Sequence, residues 1–202
     1  MITTKRLKIS VSLIIFIVIL ANNICFANID DDEVIDINEI KKETIEAVSK
    51  NTEELKLNSK IGLIFDRNSK TILYEKNGLK QVPMASTTKI MTAIVVLENA
   101  NLDDIVTVPY DAIATIPSGY SIAALQTGEQ LTVEQLLKLM MVHSANDAAN
   151  VLAFHVSGSI SSFANLMNQK VADLGLTNTH FTNPSGMHDE NHYTTAHDLA
   201  IL

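Results

Sequence analysis

The sequence predicts a fold of the mixed α/β class. Two short apolar runs joined by a turn lie between residues 61 and 74, and a series of helical segments follows, most of them opened by a cap or closed by a glycine. With 202 residues and 47% hydrophobic content the chain can bury a genuine core, and its length suggests one domain with appendages.

At the N-terminus, Lys5, Arg6 and Lys8 precede an almost wholly apolar run from Ile9 to Leu20, and Cys25-Phe26-Ala27 ends in a small residue. Residues 1–27 are therefore expected to be an export signal, with the mature chain beginning near Asn28. The alternative is an uncleaved anchor, but the apolar run is shorter than the roughly 20 residues that span a bilayer. Cys25 is the only cysteine, and Ile24 before it is not the small residue of a lipoprotein signal, which argues against lipidation. Cleavage after Ala27 would leave no thiol for catalysis, metal ligation or disulfides. Residues 28–58 open with Asp30-Asp31-Asp32-Glu33, contain neither Gly nor Pro, and read as an acidic linker or marginal helix.

Ile61-Gly62-Leu63-Ile64-Phe65 and Thr71-Ile72-Leu73-Tyr74, separated by Asp66-Arg67-Asn68-Ser69, read as a β-hairpin. The run Ile90 to Leu97 is apolar nearly all round, so the helix expected from about Ser86 to Asn99 should be central. Thr132-Val133-Glu134-Gln135 has capping-box form and should open a helix ending near His143. Beyond a break at Ser144-Ala145-Asn146, helical character resumes at Asp147 and closes at Gly158, and Ser162 to Leu174 forms another helix, ended by Gly175. Asn183-Pro184-Ser185-Gly186 is a turn, and Thr195-Ala196-His197-Asp198 starts a capped helix. Met91, Met140, Met141 and Met167 occupy apolar helical positions and read as core filler.

The formal charge of −8 comes without any basic stretch interleaved with aromatics, so no nucleic acid partner is expected. Chemistry concentrates instead at Ser86 and Lys89. Three residues apart on a helix, their side chains share a face, and the amine can reach the hydroxyl. A serine hydroxyl needs a base, and a lysine can serve as one if burial lowers its pKa, which the adjoining apolar run would supply. A helix start also offers free backbone N–H groups to an oxyanion. The second element, Ser144-Ala145-Asn146, lies at a helix break where polar side chains can face a cleft. Ser144 could relay a proton there, and Asn146 could hold Lys89.

Met84-Ala85-Ser86-Thr87-Thr88-Lys89-Ile90-Met91-Thr92 and Ser144-Ala145-Asn146-Asp147-Ala148-Ala149 together resemble the first two motifs of the serine penicillin-binding proteins, specifically the low-molecular-mass D-Ala-D-Ala carboxypeptidases. Val95-Val96-Leu97-Glu98, Leu131 to Leu137 and Leu174 to Gly186 agree with the same family, and the resemblance covers about residues 60–202. It implies a β-lactamase/transpeptidase-like α/β (α+β sandwich) fold over 59–202, with a helical lobe and an antiparallel sheet. It also implies an acyl-enzyme on Ser86, Lys89 as general base, and assistance from Ser144 and Asn146. The implied partners are a peptidoglycan stem peptide ending in D-Ala-D-Ala and β-lactams as covalent inhibitors, at an extracytoplasmic location, with no metal or organic cofactor.

The family's third motif, Lys-Thr-Gly or a close variant on a sheet strand, does not follow Asn146, and Leu202 falls within a predicted helix. The chain is accordingly expected to stop before the sheet is complete, and any membrane attachment would lie in an absent C-terminal segment. Three alternatives stand beside the leading reading. The first is a D-Ala cross-link endopeptidase, which would use the same residues. The second is a class A β-lactamase, against which Asp189-Glu190-Asn191-His192 lacks the expected glutamate context. The third is an inactive fragment or pseudoenzyme. His180, His188, His192 and His197 lack metal-site spacing and suit loop and cap roles, while His143 and His155 are expected to pack or hydrogen-bond. Thr87 and Thr88 should satisfy the first helical turn, although Thr88 could line the cleft.

Overall fold

The Asp66 carboxylate supplies the acceptors that let the chain reverse direction: its Oδ1 accepts from the Asn68 N–H at 2.9 Å and its Oδ2 from Ser69 Oγ at 2.7 Å. Lys70 then takes a left-handed φ of 56°. Strands β1 (Gly62–Asp66) and β2 (Thr71–Lys76) consequently pair antiparallel, with Ile64 opposite Tyr74 and a bulge between Ile64 and Phe65. This is the expected hairpin. The computed structural model describes residues 57–114 and 116–202, of which Leu57–Leu202 belong to one compact unit. The expected export signal, and the expected acidic segment as far as residue 56, lie outside the described residues.

A 3-10 turn at Ala85–Thr87 leads into α1 (Thr88–Asn99), so the helix expected from Ser86 begins with a tighter turn. Short strands β3 (Ile105–Thr107) and β4 (Gln130–Thr132) form a second antiparallel pair, separated in sequence by α2 (Tyr110–Ile113) and an irregular stretch. At three residues each, these strands are too short to leave an alternation in the sequence. β4 runs directly into α3 (Val133–Val142). There the expected capping box is formed, with Thr132 Oγ1 accepting from the Gln135 N–H at 3.1 Å and Gln135 Oε1 accepting from the Thr132 N–H at 2.8 Å.

Helix α4 (Asn146–Ser157) is closed by Gly158 at a φ of 77°. Helix α5 (Ile160–Asp173) begins two residues earlier than expected, because Ser159 Oγ rather than a later residue caps it, accepting from the Ser162 N–H at 3.1 Å. Helix α6 (Ala196–Ile201) starts as expected at the Thr195 cap, whose Oγ1 accepts from the Asp198 N–H at 3.1 Å. Among the described residues no helix is long and apolar enough to cross a membrane.

The expectation that α1 is the central helix needs correction. Helix α4 holds that place: Asn146 to Ala153 are all buried, and α1, α2, α3 and α5 pack against it. Its alanines at 148, 149 and 153 let neighbours approach closely, whereas α1 leaves Ile90 39% and Leu97 56% exposed. Met91, Val95 and Val96 from α1 meet Leu136 and Met140 from α3, Val151 and Leu152 from α4, and Phe163 and Met167 from α5 in one core. Met141 departs from the core-filler expectation, being 49% exposed on the outer side of α3. The described residues carry two separate two-stranded antiparallel sheets beside the helices.

Candidate active site

All four residues singled out in the sequence converge. Lys89, only 2% exposed, uses each of its three ammonium hydrogens: Nζ donates to Ser86 Oγ at 3.2 Å, to Asn146 Oδ1 at 2.7 Å and to the Ser185 carbonyl at 2.7 Å. Ser86 is exposed and Ser144 half-buried, and Ser144 Oγ donates to Ser86 Oγ at 2.9 Å. One face of the Ser86 hydroxyl thus meets an amine and the other a second hydroxyl.

Local backbone geometry explains the convergence. Ala85 is held at a φ of 45° just before Ser86, and Ser144 itself at a φ of 57°, a region that non-glycine residues seldom occupy. The turn at Ser144 separates α3 from α4 and brings its hydroxyl to Ser86. Asn146, at the start of α4, is fixed by its own N–H, which donates to the Ser121 carbonyl at 2.9 Å. The neighbouring Asp147 carboxylate ties the same stretch down, accepting from the Ala123 N–H at 2.9 Å and the Leu125 N–H at 3.0 Å.

The third Lys89 acceptor lies in the turn that the sequence had offered only as a turn. Asn183 knots it: Oδ1 accepts from the N–H groups of Ser185 at 3.2 Å, Gly186 at 2.8 Å and Met187 at 3.1 Å, while Nδ2 donates to the Met187 carbonyl at 2.9 Å. Thr92 Oγ1 donates to the Pro184 carbonyl at 2.6 Å, fastening the turn to α1. Gly186, at a φ of 84°, lies against the turn that carries Ser86 so closely that an added Cβ would stand 1.9 Å from the Ala85 carbonyl oxygen. No side-chain pattern marks a carbonyl acceptor, so only the Gly186 position carried a trace of this approach in the sequence.

Burial pushes the Lys89 amine down from its ordinary value to about 8, because the charged form loses its hydration. Among the described residues no carboxylate forms an ion pair with it. All of its acceptors are neutral oxygens, which hold the amine in place without opposing its deprotonation as strongly as a carboxylate would.

Thr87 Oγ1 donates to the Met84 carbonyl, satisfying the turn as expected. Thr88 does not line the cleft: it is fully buried, with Oγ1 2.7 Å from His192 Nε2. Of the other histidines, His155 Nε2 lies 3.7 Å from Asp104, His180 Nδ1 is 2.6 Å from the Asn191 carbonyl, and His197 Nε2 is 3.2 Å from Glu75. Exposed His143 ends α3, its carbonyl accepting from Ser121 Oγ at 2.9 Å. Among the described residues no group of three or more His, Cys, Asp or Glu is placed to hold a metal ion.

A family model described as D-alanyl-D-alanine carboxypeptidase matches residues 46–202. Over 157 residues the chain is 37% identical to the D-alanyl-D-alanine carboxypeptidase DacF of Bacillus subtilis, an alignment covering 76% of this chain and 40% of that protein. It is also 37% identical over 169 residues to DacC of Escherichia coli, covering 80% of this chain and 40% of that one. The structure of penicillin binding protein 5 from Haemophilus influenzae superposes with a TM-score of 0.71 at 33% identity, covering 75% of this chain and 45% of that chain. The chain therefore spans about 40% of the length of these curated relatives, and its fold is that of the penicillin-binding DD-peptidases.

Proposed function

Because this chain belongs to the D-alanyl-D-alanine carboxypeptidase family of serine peptidases, we propose that Ser86 is the nucleophile of an acyl-transfer reaction on peptidoglycan stem peptides ending in D-Ala-D-Ala. The observation that carries this reading is the pairing of an exposed Ser86 hydroxyl with a buried lysine that has no carboxylate partner among the described residues and a pKa lowered to about 8.

Near neutral pH about a tenth of such an amine is uncharged. In that state its lone pair accepts the Ser86 proton as Oγ forms a bond to the carbonyl carbon of the penultimate residue. The 3-10 turn already engages the Thr87 and Thr88 N–H groups, which donate to the Met84 and Ala85 carbonyls, so the donor left to the developing oxyanion at this turn is the N–H of Ser86 itself. Collapse of the tetrahedral intermediate breaks the C–N bond. Ser144, bridged to Ser86, passes a proton to the departing amine of D-alanine and is reprotonated from Lys89. Water then cleaves the ester by the reverse proton route, releasing the shortened peptide. A β-lactam would acylate Ser86 by the same attack, and its opened ring would remain attached. Asn146 keeps Lys89 in register with Ser86 throughout.

The substrate lies outside the cytoplasmic membrane, which agrees with the export signal expected in residues 1–27. Fluorescent penicillin followed by mapping of the labelled peptide tests the acylation. An adduct on Ser86 that is lost in Ser86→Ala is the expected result, and an adduct elsewhere or none overturns it. Release of D-alanine from a pentapeptide tests the substrate.

A further inference from the structure

His192 is 3% exposed and shares no hydrogen bond with Ser86, Lys89, Ser144 or Asn146, yet it joins the two segments that hold Lys89. Its Nδ1 lies 3.0 Å from the Thr182 N–H and 3.2 Å from Thr182 Oγ1, and its Nε2 lies 2.7 Å from Thr88 Oγ1. A backbone N–H can only donate, so Nδ1 carries no proton. In the neutral ring the proton is therefore on Nε2, which donates to the Thr88 hydroxyl. Thr88 immediately precedes Lys89 on α1, and Thr182 immediately precedes Asn183, whose side chain shapes the turn presenting the Ser185 carbonyl. Phe181 meets the imidazole edge-on with ring centroids 5.6 Å apart, which fixes the ring plane.

We propose that His192 is a positioning residue: as a neutral imidazole protonated on Nε2, it braces the Thr182–Met187 turn against the first turn of α1 and so keeps the Ser185 carbonyl on Lys89. The inference rests on the reading of Lys89 as the base. It gives the pair Thr88 and His192 a task in setting the amine's environment, since a turn released from α1 would admit water to Lys89. Burial also holds the ring neutral, lowering its pKa to about 4. Two titratable groups act on it from its own segment, Asp189 favouring the charged ring and His180 opposing it.

The test is 15N and 13C NMR of labelled histidine and lysine in the wild-type chain, His192→Gln, His192→Leu and Thr88→Val, together with the rate of penicillin acylation. Glutamine can place an acceptor and a donor about as far apart as the two ring nitrogens, so it should rescue, whereas leucine fills the space without either. The expected result is an Nε2-protonated neutral ring and a Lys89 titration near that of the wild type in His192→Gln. In His192→Leu and Thr88→Val the Lys89 midpoint should rise by about one unit, with acylation near pH 7 slowed about tenfold. An Nδ1-protonated ring, or one Lys89 midpoint shared by all four proteins, overturns the proposal. Should His192→Leu fail to fold, Thr88→Val carries the test, being nearly isosteric. Displaced Lys89 titrations without any wild-type adduct would count against the acyl-transfer reading and leave this inference standing. Equal acylation rates in wild type and Thr88→Val would do the opposite.

Discussion

Lys89 Nζ and Asn146 Oδ1 stand 2.7 Å apart, joining α1 to α4 through residues 57 positions apart in the chain. The acceptor is an amide oxygen and not a carboxylate, so it does not offset the burial that lowers the Lys89 pKa to about 8. Asn146→Asp keeps the shape but places an anion against the amine. We expect the Lys89 midpoint to rise by about 1–2 units and acylation at pH 7 to fall about tenfold or more, measured by the pH dependence of penicillin acylation.

The same lysine sets the pH profile of the wild-type chain. Acylation should increase as pH rises through about 8, as the amine deprotonates. Stability follows a linked course. The folded-state pKa lies below the ordinary lysine value of 10.5, so between the two the unfolded chain binds more protons, and stability should rise with pH across that window. Chemical denaturation at several pH values checks the sign.

Gly186→Ala should damage both fold and chemistry. A side chain there needs a left-handed φ of 84° and collides with the Ala85 carbonyl, on the backbone that carries Ser86. Strain and displacement together should cost at least about 2 kcal/mol. Thermal unfolding and the acylation rate should fall together, whereas a change confined to one of them would contradict the close approach.

Acid should weaken the molecule through His192. Its folded-state pKa, about 4, lies below the ordinary histidine value of 6.5, so the stability contributed by the neutral ring is fully present above 6.5 and is lost as pH falls towards 4. In His192→Gln this part of the acid sensitivity should disappear from urea unfolding midpoints measured between pH 7 and 4.

What the sequence displayed and what it concealed divide along physical lines. The hairpin, the Thr132 capping box, the Gly158 stop and the Thr195 cap are local devices, each completed within a few residues, and each was legible. Ser86, Lys89, Ser144 and Asn146, whose side chains meet, were singled out through the resemblance of the two motifs and their flanking segments to one family, since neither short motif is specific by itself. The third acceptor of Lys89 was not, since a backbone carbonyl 96 positions away leaves no mark on residue type. His192 was legible only as a loop histidine, because its role depends on a contact with Thr88 across 104 positions. The central place of α4 was hidden for a related reason: alanines permit close packing without raising hydrophobicity as much as the Ile90–Leu97 run of α1 does.

The most direct test of the account is covalent labelling at Ser86. The chain is incubated with fluorescent penicillin alongside Ser86→Ala and Ser144→Ala, and the adduct is located by mass spectrometry after digestion. The account predicts one adduct, on Ser86, absent in Ser86→Ala with the unfolding midpoint nearly unchanged because Ser86 is exposed, and formed more slowly in Ser144→Ala. A folded wild-type chain that acquires no adduct, or a Ser86→Ala chain that still does, would contradict it.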